Sequence, residues 1–193
     1  PMESHMTLRF TLACFIVLLV HPAIAADQYT IDPTHTYPSF EIDHLGFSTT
    51  RGRFNSAQGK LSLDRDAKTG SVEVPIDAAS IDTGLAKLED VLRSADYFDV
   101  KRFPALTFRG SKFRFDESRL SAVEGELTLL GVTHPVTLTV TRFKCGLNLL
   151  RLRQACGADA SATIKRSDYG MSKGLPLVGD EVKILIQIEA VKD

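Results

Sequence analysis

The chain has 193 residues, 44% of them hydrophobic and 24% charged, and its 23 basic and 24 acidic side chains leave a net charge of −1. It has no basic field to hold nucleic acid and no polybasic stretch to hold an anionic membrane. The length suits one domain with a core of its own.

The first residues, "PMESH" (1–5), read as an expression-tag remnant. From Met6 the pattern is that of a secretory signal peptide, residues 6–25. Arg9 supplies the positive region, Phe10 to Val20 the apolar run, and Ala23-Ile24-Ala25 the small-x-small cleavage site, with cleavage expected after Ala25. The apolar run is too short to span a bilayer, which needs about 20 residues. The expected product is an exported chain, 26–193, folded as one domain.

Beyond residue 26 the dominant signal is period two, the mark of half-buried strands. Strands are expected near 27–32, 38–45 and 50–64. "IDPTHTYPSFEIDHLGF" (31–47) carries His35 and His44, with Asp32 and Asp43 close by in sequence. Alternation puts His44 on the face of Phe40 and Ile42 and turns Asp43 away, so the four do not converge as metal ligands. The expectation is a His44 imidazole pointing into the apolar side, buried and in need of a polar partner. In "SVEVPID" (71–77), Val72, Val74 and Ile76 share a face, and Pro75, which cannot donate to a ladder, predicts an edge or irregularity.

One segment departs from the pattern. "LAKLEDVLRSADYF" spaces Leu85, Leu88, Leu92 and Ala95 as an amphipathic helix, inserted around residues 85–96, with Thr83 as its expected N-cap. Alternation then resumes in "ALTFRGSKFRF", where the phase slips at Gly110 and predicts a bulge. Further strands are expected over 119–130, 135–141, 156–165 and 181–191. Val136, Leu138 and Val140 share one face, as do Val182, Ile184, Ile186, Ile188 and Ala190. Cys145 and Cys156, an even pair in an exported chain, read as a disulfide. His134, ahead of Pro135, is expected to be structural. "RSDYGMSKGLPLVGDEV" (166–182) is a turn-rich loop able to flank a cavity mouth, with Arg166, Asp168 and Tyr169 at its start.

About nine or ten antiparallel strands suggest a barrel or a sandwich. A lipocalin-sized barrel holds one small ligand, and a packed core fits the same pattern. Enzyme signatures are missing: there is no GxSxG elbow, no HExxH and no phosphate loop.

Several stretches, taken together and in order, resemble the YceI-like family of periplasmic polyisoprenoid-binding proteins. They are "YTIDPTHTYPSFEIDHLGFSTTRGRF", "ASIDTG", "LRSADYFDVKRFPALTF", "VEGELTLLGVTHPVTL" and "ATIKRSDYGMSKGLPLVGDEVKILIQIEA". The resemblance implies an all-β, eight-stranded antiparallel barrel like a lipocalin, partly covered by the helix. It also implies a periplasmic location and an apolar tunnel for an isoprenoid, such as a polyprenyl quinone or its precursor, or for a fatty amphiphile. It brings no catalytic residue, no metal and no cofactor other than the bound lipid, so the expected role is binding, storage or transport. On that reading the lining is Phe40, Ile42, Val72, Val74, Ile76, Phe108, Val136, Leu138, Val140, Ile184, Ile186 and Ile188, with His44 as the polar contact.

Two departures from the family pattern stand out. Val91 occupies a position where relatives often carry histidine. The stretch "GLNLLRLRQA" sets Leu147, Leu149, Leu150 and Leu152 beside Arg151 and Arg153, expected either to touch a membrane or a partner (residues 147–153) or to fold back on the barrel. A homodimer is left open. The rival readings are a lipid-modifying enzyme, which needs convergent polar groups inside the barrel, and a packed stress or interaction protein, which needs no continuous void.

Overall fold

Alternating side chains give each strand one apolar face, and the chain buries those faces by rolling its sheet into a closed ring. The structure, a computed structural model, describes residues 26–193. The tag remnant and the signal peptide with its cleavage site lie outside the described residues. In chain order the strands are β1 (Asp27–Ile31), β2 (Tyr37–His44), β3 (Ser48–Phe54), β4 (Lys60–Asp64), β5 (Thr69–Asp77) and β6 (Ile81–Asp82), then β7 (Ala105–Asp116), β8 (Arg119–Leu129), β9 (Val132–Asn148), β10 (Arg153–Lys165) and β11 (Val178–Lys192). One helix, α1 (Ala86–Arg93), lies between β6 and β7.

Eight strands form the ring, in the order β1-β4-β5-β7-β8-β9-β10-β11, closed by antiparallel pairing of β1 with β11 from Tyr29↔Lys192 to Ile31↔Ala190. Closure removes the open edges that an eight-stranded sheet would otherwise expose. The long β11 holds two partners along one edge: β1 on its C-terminal end and β2 on its N-terminal half, where Ile184 faces Phe40. Residues 27–44 thus act as one strand interrupted at 32–36.

The single strand expected over 50–64 is two, β3 and β4. The break includes Gly59, with φ +150°, where a Cβ would lie 2.0 Å from the Glu73 carbonyl oxygen, so only glycine fits. Pro75 sits where the β4–β5 ladder has lapsed to an isolated Ala57↔Ile76 bridge, the irregularity its missing N–H predicts. The bulge expected at Gly110 is present as a register shift between Gly110 and Lys112.

Helix α1 is shorter than expected, and its N-cap is Leu85, without a side-chain cap bond, instead of Thr83. The Thr83 N–H donates to the Glu89 carboxylate at 3.0 Å, so the acid reaches back from the first turn. Arg93 donates to the carbonyls of Ala79 and Ile81, each at 2.9 Å, and holds the helix against β6. Cys145 and Cys156 face each other across β9 and β10 and form the expected disulfide, S–S 2.05 Å.

An apolar cavity with a histidine at its mouth

The inward faces of the ring do not meet. They enclose a cavity of about 460 Å³, within the range of small-ligand sites, roughly 300–1,000 Å³. All thirteen residues expected at the site line it: Phe40, Ile42 and His44 from β2; Val72, Val74 and Ile76 from β5; Phe108 from β7; Val136, Leu138 and Val140 from β9; Ile184, Ile186 and Ile188 from β11. Phe40, Ile42, Val72, Leu138 and the three isoleucines are only partly buried although they face inward. In a core packed to ordinary density they would be covered, so their free surface is cavity wall.

Sequence reasoning missed part of the wall. Leu120, Val123, Leu127 and Leu129 of β8 line it, as do Tyr97 and Phe98 after the helix and Met171 in the following loop. In β8 the apolar positions run 120, 123, 127, 129, and the register shift opposite, between Arg114 and Phe115, breaks the phase that would have shown them. Leu88 and Leu92 also line the cavity from α1, and their helical spacing was the signal for that.

His44 corrects an expectation. It lines the cavity but is exposed, the only lining residue among those described that is, so it marks the mouth and is not a buried imidazole. It ends β2 opposite Val178, the first residue of β11. The loop that reaches Val178 is built on Arg166, which is 3% exposed. The Arg166 guanidinium donates to the carbonyls of Met171 (2.9 Å), Lys173 (2.8 Å), Val178 (3.1 Å) and Gly179 (2.8 Å). A buried charge is tolerable only with such partners. Nearby, hydrogen bonds from Ser167, together with the positive charge of Arg166, hold the Asp180 carboxyl below the usual carboxylate range despite some burial. Tyr169 is buried, its hydroxyl without a partner among the described residues, and burial pushes its phenol pKa up. Its ring meets His134 edge-on at 5.0 Å, and the His134 Nε2 lies 3.1 Å from the Asp168 carbonyl, so His134 is a structural fitting.

The other histidine lies away from the cavity. His35, with Asp32 and Glu189, brings three potential metal-ligand atoms within 4.8 Å of one another. His44 and Asp43 are not part of this group. The Asp32 carboxylate is already engaged, accepting from Thr34 N–H (3.0 Å), Thr34 Oγ1 (2.7 Å), His35 Nδ1 (2.8 Å) and Arg151 (2.6 Å). Burial works against its ionisation, but these hydrogen bonds and the Arg151 charge prevail and lower its pKa to about 2.

The β9–β10 tip folds back in part. Arg151 folds back to Asp32, while Leu149, Leu150 and Leu152 stay 76%, 97% and 76% exposed. Val91 is exposed and does not line the cavity, so the departure from the family pattern there leaves the cavity wall unchanged.

A family profile described as a YceI-like domain matches residues 29–190. "Protein YceI" of Salmonella arizonae is 34% identical over 188 residues, covering 96% of each chain. A UPF0312 protein of Pseudomonas aeruginosa is 34% identical over 173 residues, covering 88% of this chain and 89% of its own. Among solved structures, Burkholderia cenocepacia BcnA superposes with a TM-score of 0.69 at 26% identity, covering 82% of this chain and 98% of that one. A polyisoprenoid-binding domain from Saccharophagus degradans gives a TM-score of 0.65 at 18% identity, with 86% and 98% coverage, a likeness of fold.

Proposed function

The chain belongs to the YceI-like family, and from that premise we propose that it binds the hydrocarbon of a long-chain isoprenoid, or a similar amphiphile, without chemistry. The observation that carries this reading is a cavity walled by hydrocarbon side chains whose one exposed lining residue, among the described residues, is a histidine at the mouth. The chain of the ligand would lie along β5, β9 and β11, and its polar end would meet His44. The Saccharophagus domain of like fold, named for polyisoprenoid binding, supports the ligand class.

The energetics suit such a ligand. Burying fifteen carbons yields about 12 kcal/mol at roughly 0.8 kcal/mol per methylene. An association cost of about 4 kcal/mol, the low end of its range, leaves about 8 kcal/mol, near micromolar affinity. A molecule this apolar hardly dissolves in water, so storage or carriage through the periplasm is the fitting role, consistent with the signal peptide read at residues 6–25. The exposed leucines of residues 147–153 are the rival site for a transient membrane contact, and a homodimer is the alternative use of that surface. The lining offers few polar groups: Thr36, Ser39, Thr50 and Tyr97 beside His44, with Arg166 committed to its loop. This favours a carrier over a lipid-modifying enzyme.

Filling the cavity tests the proposal. Val140→Trp and Ile186→Trp place a large ring in the void, and uptake of a polyprenyl quinone should fall by about tenfold or more, as a ligand-sized volume is lost. Wild-type uptake by both folded variants would contradict it.

A further inference from the structure

The loops at the mouth expose large apolar side chains. Phe47 is 90% exposed, Leu177 65% and Leu45 44%. Leu45 and Leu177 are neighbours, since the Leu45 N–H donates to the Leu177 carbonyl at 2.9 Å, and Phe47 lies two residues on in the same turn. They adjoin the opening, because Leu45 follows His44 and Leu177 precedes Val178, and both His44 and Val178 line the cavity. The turn is held in place: Phe47 N–H donates to the His44 carbonyl at 3.1 Å and Gly46 N–H to the Asp43 carboxylate at 2.9 Å.

This turn also holds strain. Leu45 has φ +59°, a left-handed conformation that a bulky side chain rarely adopts. Leu130, at φ +53° in the matching Leu-Gly turn, is partly buried. Leu45 carries the same strain with its side chain in water, as does Leu152 at the tip (φ +52°), so what sets Leu45 apart is its place beside the mouth.

We propose that Leu45, Phe47 and Leu177 dock the mouth onto a lipid bilayer, so that cargo passes between membrane and cavity without crossing water. The inference rests on the lipid-binding reading above, since a hydrocarbon cargo has its reservoir in a bilayer. Charges beside the platform pair among themselves: Lys173 with Asp96 at 3.3 Å, and Arg51 and Lys183 with Glu41 at 2.8 and 3.7 Å. With these three cations engaged, the face suits insertion into a neutral, zwitterionic surface better than attraction to anionic headgroups. The leucine tip lies at the other end of the barrel, as the thirteen residues of β10 run from it toward the mouth, roughly 40 Å at about 3.3 Å per residue.

The test compares a rim variant (Leu45→Asn, Phe47→Ser, Leu177→Ser) with a tip variant (Leu149→Ser, Leu150→Ser, Leu152→Ser) and the wild-type protein purified after export. Asn tolerates the left-handed turn, and Phe47→Ser alone serves if the triple variant misfolds. Transfer of a fluorescent prenyl probe from phosphatidylcholine vesicles should slow by about tenfold or more in the rim variant only, as the inserted apolar area is lost. Equilibrium binding of the same probe without vesicles should stay within about threefold, since the rim lies outside the cavity. Wild-type transfer by the rim variant, slowing in the tip variant alone, or a wild-type dimer dissolved by the rim changes would overturn the proposal. If the wild type takes up no probe at all, the lipid-binding reading fails. Docking is then judged by co-sedimentation with the vesicles, where the wild type should sediment and Phe47→Ser should not.

Discussion

Arg151, at the tip of the β9–β10 hairpin, donates to the buried carboxylate of Asp32 at 2.6 Å, across 119 positions of sequence. The contact ties the tip to the interruption between β1 and β2, and it occupies the carboxylate that would anchor a metal beside His35 and Glu189.

The network around Asp32, in which the hydrogen bonds from Thr34 and His35 outweigh the Arg151 charge, makes stability depend on pH. The Asp32 pKa falls from 3.8 unfolded to about 2 folded, so its contribution is fully present above pH 3.8 and is lost as pH drops through 2. Asp32→Asn should cost roughly 1–2 kcal/mol at pH 7. The difference from wild type should shrink toward zero at pH 2 in urea titrations. A gap that stays constant between pH 7 and pH 2 would show that the charge of Asp32 is not what stabilises the fold.

The disulfide closes a short hairpin, its cysteines eleven positions apart in sequence. Replacing both by serine should cost about 2–3 kcal/mol in the chain-entropy account. Chemical denaturation of C145S/C156S measures this, and an unchanged midpoint would mean that the β9–β10 ladder alone holds the hairpin.

Arg166 and Tyr169 sit three residues apart and should respond in opposite ways. Arg166→Met strips four carbonyls of their donor and should cost about 3 kcal/mol or more. Tyr169→Phe removes a hydroxyl that has no partner among the described residues and should be neutral or stabilising by up to about 1 kcal/mol. A loss above about 1 kcal/mol for Tyr169→Phe would reveal a partner, such as a bound water, for that hydroxyl.

Inward isoleucines should tolerate truncation unusually well. Buried Ile→Ala changes cost about 2–5 kcal/mol, whereas Ile186 already borders the void and should lose about 1–2 kcal/mol, because fewer contacts are broken. A thermal melt of Ile186→Ala giving the full core penalty would argue that the cavity collapses in solution.

Much of this was legible in residue alternation. The clean period of β11, from Val182 to Ala190, and the triplets in β5 and β9 set which side chains share the inward face, because a two-residue repeat leaves no choice of face. The slip at Gly110 was readable for the same reason. What alternation lacks is the third dimension. It placed His44 on the inner face near the end of a strand expected at 38–45, but could not show that the cavity opens there, so a mouth residue read as a buried one. It joined β3 and β4, because the close approach of Gly59 to Glu73 is a contact between strands. The embrace of the loop by Arg166 and the reach of Arg151 to Asp32 are long-range pairings that no local pattern encodes. The strained Leu45 turn was invisible because leucine is not a residue that predicts φ above zero.

The central claim is that the cavity carries a lipid. The most direct test is to purify the exported protein without detergent, compare its native with its denatured mass, and identify the difference after organic extraction. A stoichiometric isoprenoid or acyl chain is the predicted result. A bare protein that also takes up no polyprenyl quinone would contradict the claim.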